Sequence, residues 1–180
     1  MMKLNAKELR DVDETDVKVA EKLKTLKRRP MYFILENIYD TYNIGGLFRL
    51  ADALAIEKMY ICGQSEIPPN AKIKKASIGT YKVVPWEYKR TAEEAIEELK
   101  TTEIKIIAVE QANNSVPYQK ADYSNPIALI LGNETYGVTP ETLKLADQIV
   151  EIPMWGINRS LNVIVSAAIV SYWAAGTSFK

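Results

Sequence analysis

The sequence predicts an α/β fold built on a parallel β-sheet. Short apolar runs alternate along the chain with stretches that carry helix-capping residues, which is typical of strands connected by helices. Two of these runs, residues 127–131 and 148–152, are too short for helices and are bounded by Gly or Pro. Each is followed by a loop and then by a helical stretch. Both loops therefore belong at the carboxyl edge of the sheet, where open parallel sheets bind ligands.

The other elements follow from the same signals. Apolar runs predict further strands at residues 31–35, 58–62, 82–86 and 104–109. Capping residues predict helices at residues 44–55, 92–100, 140–146 and 161–175. The expected helix boundaries are Asn43, Thr91 with Glu94, Thr139 with Pro140, Ser160, and Gly176 at the end of the last helix. Residues 68–75, with two prolines and three lysines, are expected to form a basic loop.

Residues 1–29 form a charged segment with a loose helical stripe, and Pro30 is expected to end it. The sequence thus predicts an N-terminal helical extension over residues 1–29 and a main domain over residues 30–180. The extension carries a basic cluster that includes Lys27, Arg28 and Arg29. Such a cluster is either a solvated helix face or a contact with an RNA backbone, whose phosphates attract lysine and arginine.

Composition excludes several classes of site. The 180 residues contain no histidine, which removes a Ser-His-Asp triad, an HExxH zinc site and any imidazole base. The single cysteine, Cys62, excludes an intrachain disulfide and is expected to be a buried apolar residue. Lys+Arg and Asp+Glu are balanced at 23 each, so RNA affinity must come from a local patch. Without a signal peptide or a membrane span, the chain is expected to be soluble and cytoplasmic.

Three loops carry unusual residues in a fixed order. The first, residues 37–49, reads NIYDTYNIGGLFR, and its paired glycines bring bare backbone N–H groups to the start of a helix. The second, residues 131–138, reads LGNETYGV, and the third, residues 152–163, reads IPMWGINRSLNV. None of them is a GxGxxG or GxxxxGK[ST] motif, so neither dinucleotide nor P-loop binding follows.

These three motifs, in this order, resemble those of the SpoU/TrmH family. Its members are SPOUT-superfamily (α/β-knot) RNA ribose 2′-O-methyltransferases, and the resemblance covers residues 30–176. It implies a parallel-sheet α/β knot with a deep C-terminal trefoil knot, a feature that periodicity could not indicate. It also implies a homodimer that acts on tRNA or rRNA. The apolar last helix is consistent with a dimer, because such a helix must be covered on more than one side.

The resemblance implies which residues form the site. S-adenosyl-L-methionine is the implied cofactor, with S-adenosyl-L-homocysteine as its product and no metal. Residues implied to line the cofactor pocket are Glu110, Gly132, Ile152 and Leu161. Residues implied to act in catalysis are Asn43, Arg49, Glu134, Ser160 and Asn162. The plainer alternatives are core packing for Ile152 and Leu161, and capping or loop hydrogen bonds for Asn43 and Ser160.

The arginine that matches Arg49 is assigned in the family to activating the ribose hydroxyl. A guanidinium, with a pKa above about 12, is a poor base at neutral pH. We therefore expect Arg49 to hold an RNA phosphate and to stabilise the developing alkoxide, and to act as a base only if burial lowers its pKa strongly. The alternative for Arg49 is a surface ion pair with Asp52. Arg159 is expected to contact phosphate, although a plain surface role is as compatible with the sequence.

Three other functions are alternatives to RNA ribose methylation. A SPOUT-fold RNA-binding or assembly factor without catalysis would fail to bind S-adenosylmethionine. A nucleotide-binding oxidoreductase would need a glycine fingerprint after the first strand, and none is present. A methyltransferase acting on a base nitrogen or a small molecule is the third alternative, and only the resemblance around Arg49 speaks for a ribose oxygen.

Overall fold

The computed structural model describes residues 3–13, 17–124 and 126–178. Its centre is a sheet of seven parallel strands in the order β3-β2-β1-β6-β4-β7-β5. The strands, numbered along the chain, are β1 (Arg29–Glu36), β2 (Ile56–Cys62), β3 (Trp86–Lys89), β4 (Lys105–Val109), β5 (Val116–Pro117), β6 (Ile127–Leu131) and β7 (Gln148–Glu151). The predicted α/β fold with a parallel sheet is thus confirmed.

Helices cover both faces of this sheet. The helices of the described ranges are α1 (Ala6–Arg10), α2 (Val17–Lys24), α3 (Thr41–Leu54), α4 (Ala71–Ser77), α5 (Ala92–Lys100), α6 (Pro140–Leu143) and α7 (Val163–Ser178). One buried cluster joins the sheet to α3, α4 and α7, and a second cluster joins the opposite face to α5. No helix of the described ranges is both long and apolar enough to cross a bilayer.

The central strands are apolar throughout because both of their faces are buried. In β1, Phe33 and Leu35 belong to the cluster with α3 and α7, whereas Ile34 belongs to the cluster with α5. All five residues of β6 are buried between β1 and β4. Strands of this kind show no polar alternation, which is why they appear in the sequence as short continuous apolar runs.

The parallel sheet brings the ends of β1, β4, β6 and β7 to one edge. The loops that follow these strands include all three motifs, so the expected placement at the carboxyl edge is confirmed. The deep C-terminal trefoil knot stays a prediction, because strand order and register describe pairing and not the threading of the chain.

Several boundaries differ from those expected. Asp40, not Asn43, caps α3, because its carboxylate accepts the N–H of Tyr42 at 2.8 Å. Asn162, not Ser160, caps α7 by accepting the N–H of Ile164 at 2.8 Å. Helix α7 also continues past Gly176 to Ser178.

Two segments also differ in type from the prediction. Residues 68–75 are not all loop, since Asn70 caps helix α4. The strand expected at residues 82–86 lies instead at Trp86–Lys89, after a short 3₁₀ turn at Thr80–Lys82. In the second case Pro85 has no backbone N–H to donate to a sheet, and β3 begins directly after it.

The described residues of the N-terminal segment contain two short helices, α1 and α2, and the segment is attached to the main domain. Lys82 Nζ donates to the carbonyl oxygens of Arg10 and Val12 at 3.0 and 2.6 Å. Gly79, with a φ of +91°, packs so closely on Leu9 that a Cβ there would lie 2.4 Å from the Leu9 carbonyl oxygen. The division at residues 29 and 30 stays a prediction, and β1 begins at Arg29.

Candidate active site

A chain of side-chain hydrogen bonds joins the three motifs. Asn162 Nδ2 donates to Asn43 Oδ1 at 3.0 Å, and Asn43 Nδ2 donates to Glu134 Oε1 at 2.8 Å. Asn43 is 6% exposed, whereas Glu134 and Asn162 lie at the surface. Each member comes from a different motif, so the fold brings together three of the five predicted catalytic residues.

The helices that carry Asn43 and Asn162 fix the geometry of this hydrogen-bonded chain. Asn43 lies in the first turn of α3, which Asp40 caps. Asn162 uses its oxygen to cap α7, which leaves its amide N–H₂ for Asn43. The Asn43 amide must therefore present oxygen to Asn162 and nitrogen to Glu134, because each contact needs one donor and one acceptor.

The Glu134 loop is a tight turn built on Asn133. Asn133 and Gly137 exchange two backbone hydrogen bonds of 3.1 and 2.9 Å. The Asn133 side chain accepts the N–H groups of Thr135 and Tyr136 and donates to the Asn37 carbonyl oxygen at 2.7 Å. A Cβ on Gly132 would lie 2.3 Å from Gly137 C, so this position needs glycine for the turn itself.

Glu110 links the end of β4 to the same turn. Its Oε2 accepts the Val138 N–H at 2.9 Å, and its Oε1 accepts the Gln111 N–H at 2.8 Å. Gly137, with a φ of +70°, allows this approach, since a Cβ there would lie 2.2 Å from Glu110 Oε2. Glu110 therefore fixes the loop as well as the edge of the neighbouring cavity.

A cavity of about 150 Å³ lies between the ends of β4, β6 and β7 and the start of α7. All four residues predicted to bind the cofactor line it, namely Glu110, Gly132, Ile152 and Leu161. Arg159 and Ser160 line it too. Its walls are about equally apolar and polar, with Leu131, Val150 and Val163 among the apolar residues and Glu110 and Glu151 among the polar ones.

Arg49 is exposed on α3, outside both the cavity and the hydrogen-bonded chain. Within the described ranges its guanidinium has no hydrogen bond or ion pair, and the alternative pair with Asp52 does not form. Burial raises the pKa of Asp52, and Arg28 and Lys3 oppose that rise. Arg49 thus keeps its full hydrogen-bonding capacity for a ligand.

Comparison with known proteins identifies the family. The profile of the SpoU rRNA Methylase family matches residues 30–172. The chain belongs to this family. The resemblance carried by the three motifs is thereby confirmed, and both the hydrogen-bonded chain and the cavity fall within the matched residues.

Individual relatives agree with this assignment. The chain is 30% identical over 152 residues to the tRNA (guanosine(18)-2′-O)-methyltransferase of Escherichia coli (strain K12), covering 82% of this chain and 64% of that protein. It is also 30% identical over 156 residues to the 23S rRNA (guanosine(2553)-2′-O)-methyltransferase RlmP of Bacillus subtilis (strain 168), covering 87% of this chain and 61% of that protein. The chain thus spans less than two thirds of the length of these two relatives.

Solved structures share the fold. An AdoMet-bound rRNA methyltransferase from Sinorhizobium meliloti superposes with a TM-score of 0.79 at 25% identity, covering 96% of this chain and 61% of that one. The TrmH/SpoU tRNA modifying enzyme of A. aeolicus gives 0.75 at 28% identity, covering 88% and 83%. The SpoU fold therefore extends over nearly the whole chain.

The basic cluster at residues 27–29 lies at the opposite end of the strands from the SpoU motifs, because Arg29 is the first residue of β1 and motif residue 37 follows its last residue. An eight-residue strand is roughly 25 Å long, which separates this cluster from the site by about that distance. Arg28 donates to the carbonyl oxygens of Ile56 and Val83 at 3.2 and 2.8 Å. Burial lowers the pKa of Arg28, although Glu57 and Asp52 favour its charged form.

Three site residues were missed in the sequence. Glu36, 4% exposed, accepts the Thr139 N–H at 3.0 Å and the Thr142 hydroxyl at 2.6 Å, and so holds the start of α6. Asn133 forms the turn, and Gln111 Nε2 donates to the Arg159 carbonyl oxygen at 2.8 Å. An Asn directly after a Gly at a strand end is a turn signal. No sequence pattern marks the other two.

Proposed function

We propose that this protein is an S-adenosylmethionine-dependent RNA ribose 2′-O-methyltransferase. The observation that carries the proposal is the hydrogen-bonded chain from Asn162 through Asn43 to Glu134, beside the cavity that Ser160 and Leu161 line. The relatives support this reaction, because they are named as 2′-O-methyltransferases of tRNA and rRNA. The Sinorhizobium meliloti relative, which is AdoMet-bound, supports the cofactor.

The cavity residues fit an adenosyl group. Ile152 and Leu161 offer apolar walls for a base, and the backbone of Gly132 offers hydrogen-bonding groups without a side chain. Glu110 and Glu151 add carboxylates to the lining, which would suit a positively charged cofactor. When bound, the cofactor supplies an electrophilic methyl group, so no metal is needed. Within the described ranges no group of three or more acidic or cysteine side chains could hold a metal.

Arg49 is proposed to hold the RNA and to stabilise charge on the reacting oxygen. A guanidinium stays protonated at neutral pH and donates in a fixed planar fork, which suits a phosphate or an alkoxide. Glu134, exposed on the loop after β6 and held there by the buried Asn43, is proposed to orient the ribose. Arg159 and Ser160, both exposed at the cavity rim, are proposed to contact the phosphate and the ribose.

The RNA is proposed to be a tRNA or an rRNA, as in the named relatives. Lys27, Arg28 and Arg29 are proposed as a second RNA contact, about one strand length from the site. Arg28 already uses two of its N–H groups on backbone carbonyls, so its contribution would come from the remaining donors. The extension over residues 1–29 and the cytoplasmic location stay predictions.

A homodimer is proposed from the outer face of α7. Val165 and Tyr172 are 46% and 55% exposed and lie seven residues apart, with the partly exposed Ile169 between them. Two turns of apolar side chains on one face of a helix are usually covered by a partner. Light scattering should give twice the monomer mass, and Val165→Lys with Tyr172→Lys should give the monomer. A wild-type monomer would contradict this part of the proposal.

The reaction is tested with isotope-labelled S-adenosylmethionine and unmodified tRNA and rRNA pools, followed by mass spectrometry of the digested nucleosides. We expect a labelled 2′-O-methyl nucleoside. Arg49→Ala should lose this activity and keep its cofactor affinity, measured by calorimetry. Arg90→Ala is the matched control, since Arg90 is 84% exposed and pairs with Glu94 on α5.

The alternative is a SPOUT-fold RNA-binding or assembly factor without catalysis. It predicts RNA binding without cofactor binding and without label in any nucleoside. Label on a base would instead indicate a different methyl acceptor, and it would overturn the role proposed for Arg49.

A further inference from the structure

Two adjacent glycines on α3 bring α4 and α7 close to its backbone. A Cβ on Gly45 would lie 2.5 Å from Ala76 Cβ of α4, and a Cβ on Gly46 would lie 2.3 Å from Ile164 Cδ1 of α7. A larger residue at Gly45 would require α4 to move, because it would meet the α4 backbone, whereas a larger residue at Gly46 would require the Ile164 side chain to move. The two helices therefore flank one face of α3 as the walls of a groove.

Arg49 and Tyr42 form the floor of this groove. Residues on an α-helix are about 100° apart, so Arg49 lies about 40° from Gly45 towards Gly46, and Tyr42 lies about 60° from Gly45 in the same direction. Both side chains thus project between the two contacts. Tyr42 is 52% exposed and Arg49 is exposed, which leaves the floor open.

The α4 wall carries positive charge. Lys72, Lys74 and Lys75 are exposed, and α4 contains no acidic residue. Within the described part of the chain none of the three forms an ion pair. Unpaired lysines of this kind can release counterions when they meet phosphates.

The helix geometry separates these lysines into two groups. Ala76 contacts α3, and the angles around α4 are measured from it. Ile73 and Ser77 lie on one flank of α4 and are buried. Lys72 and Lys75 lie about 40° and 100° from Ala76 on the other flank of α4. This flank is opposite the buried one, so it faces away from the sheet and towards the open side of the groove. Lys74 lies about 160° from Ala76 and points away from α3.

We propose that α4 is a docking surface for the RNA strand on either side of the target nucleotide. Lys72 and Lys75 hold its phosphates, and Tyr42 stacks on a base next to the ribose at Arg49. The inference rests on the proposed function and deepens it, because it names the part of the RNA that the site holds beyond the target. The positive charge of the lysines complements the negative phosphates of a nucleic-acid backbone. The exposed Tyr42 ring on the floor favours a single strand with unstacked bases over a duplex.

The test compares single charge reversals. Lys72→Glu and Lys75→Glu face the groove, Lys74→Glu is the control on the same helix, and Lys144→Glu is the control on a distant exposed residue. Binding of the unmodified tRNA and rRNA pools is measured over a range of salt, together with kcat, KM and cofactor affinity. For Lys72→Glu and Lys75→Glu we expect about tenfold weaker RNA binding and a salt slope smaller by about one. Both controls should stay within about twofold of wild type.

Tyr42 is tested in the same assays. Tyr42→Ala should raise KM for RNA about tenfold, and Tyr42→Phe should restore it, because stacking needs the ring and not the hydroxyl. Tyr39→Ala, which removes a ring 49% exposed in the preceding loop, is the control.

The outcomes separate this inference from the proposed function. A wild-type protein that methylates RNA while Lys72→Glu and Lys75→Glu behave like Lys74→Glu would overturn the docking surface alone. Equal losses in all four lysine variants would also overturn it, since they would indicate a general charge effect. A wild-type protein that neither binds nor methylates either RNA pool would overturn the proposed function, and the docking surface with it.

Discussion

Asn43 and Glu134, 91 residues apart in the sequence, are joined by a hydrogen bond of 2.8 Å from Asn43 Nδ2 to Glu134 Oε1. The bond connects the first turn of α3 to the turn that follows β6. Because Asn162 donates to the other end of the Asn43 amide, the orientation of Asn43 is fixed from both sides. Any change that removes the Asn43 donor therefore leaves Glu134 without its partner.

Asn43→Asp should lower kcat at least tenfold and leave cofactor affinity close to wild type. The substitution keeps the shape of the side chain and the acceptor for Asn162, but it places a carboxylate against the carboxylate of Glu134. Like charges at this distance repel, and leaving a part-buried acceptor without its donor costs about 1–3 kcal/mol. The measurements are steady-state kinetics and calorimetry with the cofactor.

A double variant makes this prediction specific. In Asn43→Asp with Glu134→Gln, the new glutamine amide can donate to the new aspartate, so the bond is restored in the reverse direction. We expect the double variant to be more active than Asn43→Asp alone, with a coupling energy of about 1 kcal/mol or more. If the two substitutions simply add, then the contact seen between these residues does not matter for turnover.

Asn162 has two functions that substitution can separate. Asn162→Ala should lose both the α7 cap and the donor to Asn43, so the free energy of unfolding should fall by about 1 kcal/mol and kcat should fall as well. Asn162→Asp keeps the capping oxygen and loses only the donor to Asn43, so kcat should fall with a smaller loss of stability than in Asn162→Ala. Urea unfolding and kinetics give the two quantities.

Ser160→Ala is the matched control for the cap. Ser160 lies in the cavity rim, and its side chain does not cap α7, so its removal should leave the free energy of unfolding within about 0.5 kcal/mol of wild type. A loss of stability as large as that of Asn162→Ala would show that the capping residue has been misassigned.

The sequence predicted the sheet because its central strands are buried on both faces and so contain only apolar residues. It failed where two residues compete for one structural role. Asp40 and Asn43 are both good caps, and only the packing of Asn43 under Glu134 and Asn162 decides between them. The same competition hid the α7 cap, since Ser160 and Asn162 are two residues apart.

The residues that line the cavity were more predictable than the contacts of Glu36 and Gln111. Gly132, Ile152 and Leu161 line it as the motif matches implied. The contacts of Glu36 and Gln111 could not be foreseen, because each joins segments more than 45 residues apart without any local pattern. Such contacts depend on the strand order, in which β6 lies between β1 and β4.

Cys62 is expected to react only after unfolding. It is fully buried at the end of β2, and burial raises the pKa of its thiol to about 12, with the carboxylates of Glu36 and Glu93 adding to that rise. Since the thiolate is the nucleophile, a neutral buried thiol reacts slowly at pH 8. Labelling with a maleimide should follow the denaturant unfolding curve. Fast labelling of the native protein at pH 8 would contradict the burial of this side chain.

Glu98 links charges on β2, β3 and α5. Its Oε2 pairs with Lys89 Nζ at 2.6 Å, and its Oε1 accepts the Tyr60 hydroxyl at 2.6 Å. These two hydrogen bonds, with that from Lys89 the larger cause, lower the pKa of Glu98. A carboxylate whose pKa is lower in the folded state contributes stability above its unfolded pKa, and this contribution is lost as the pH falls through the folded pKa.

Glu98→Gln should therefore destabilise the protein at pH 7 and much less at low pH. The side chain is 44% exposed, so solvent screening limits the expected loss at pH 7 to about 1 kcal/mol. Below the ordinary glutamate pKa of about 4.5 the difference from wild type should shrink, because the wild-type carboxylate gains a proton. Glu97→Gln is the control, because Glu97 is exposed and directly precedes Glu98 on α5. It should change the free energy of unfolding by less than about 0.5 kcal/mol at either pH. Urea unfolding at pH 7 and near pH 3 measures both variants, and a loss for Glu98→Gln that does not depend on pH would assign the effect to packing instead of charge.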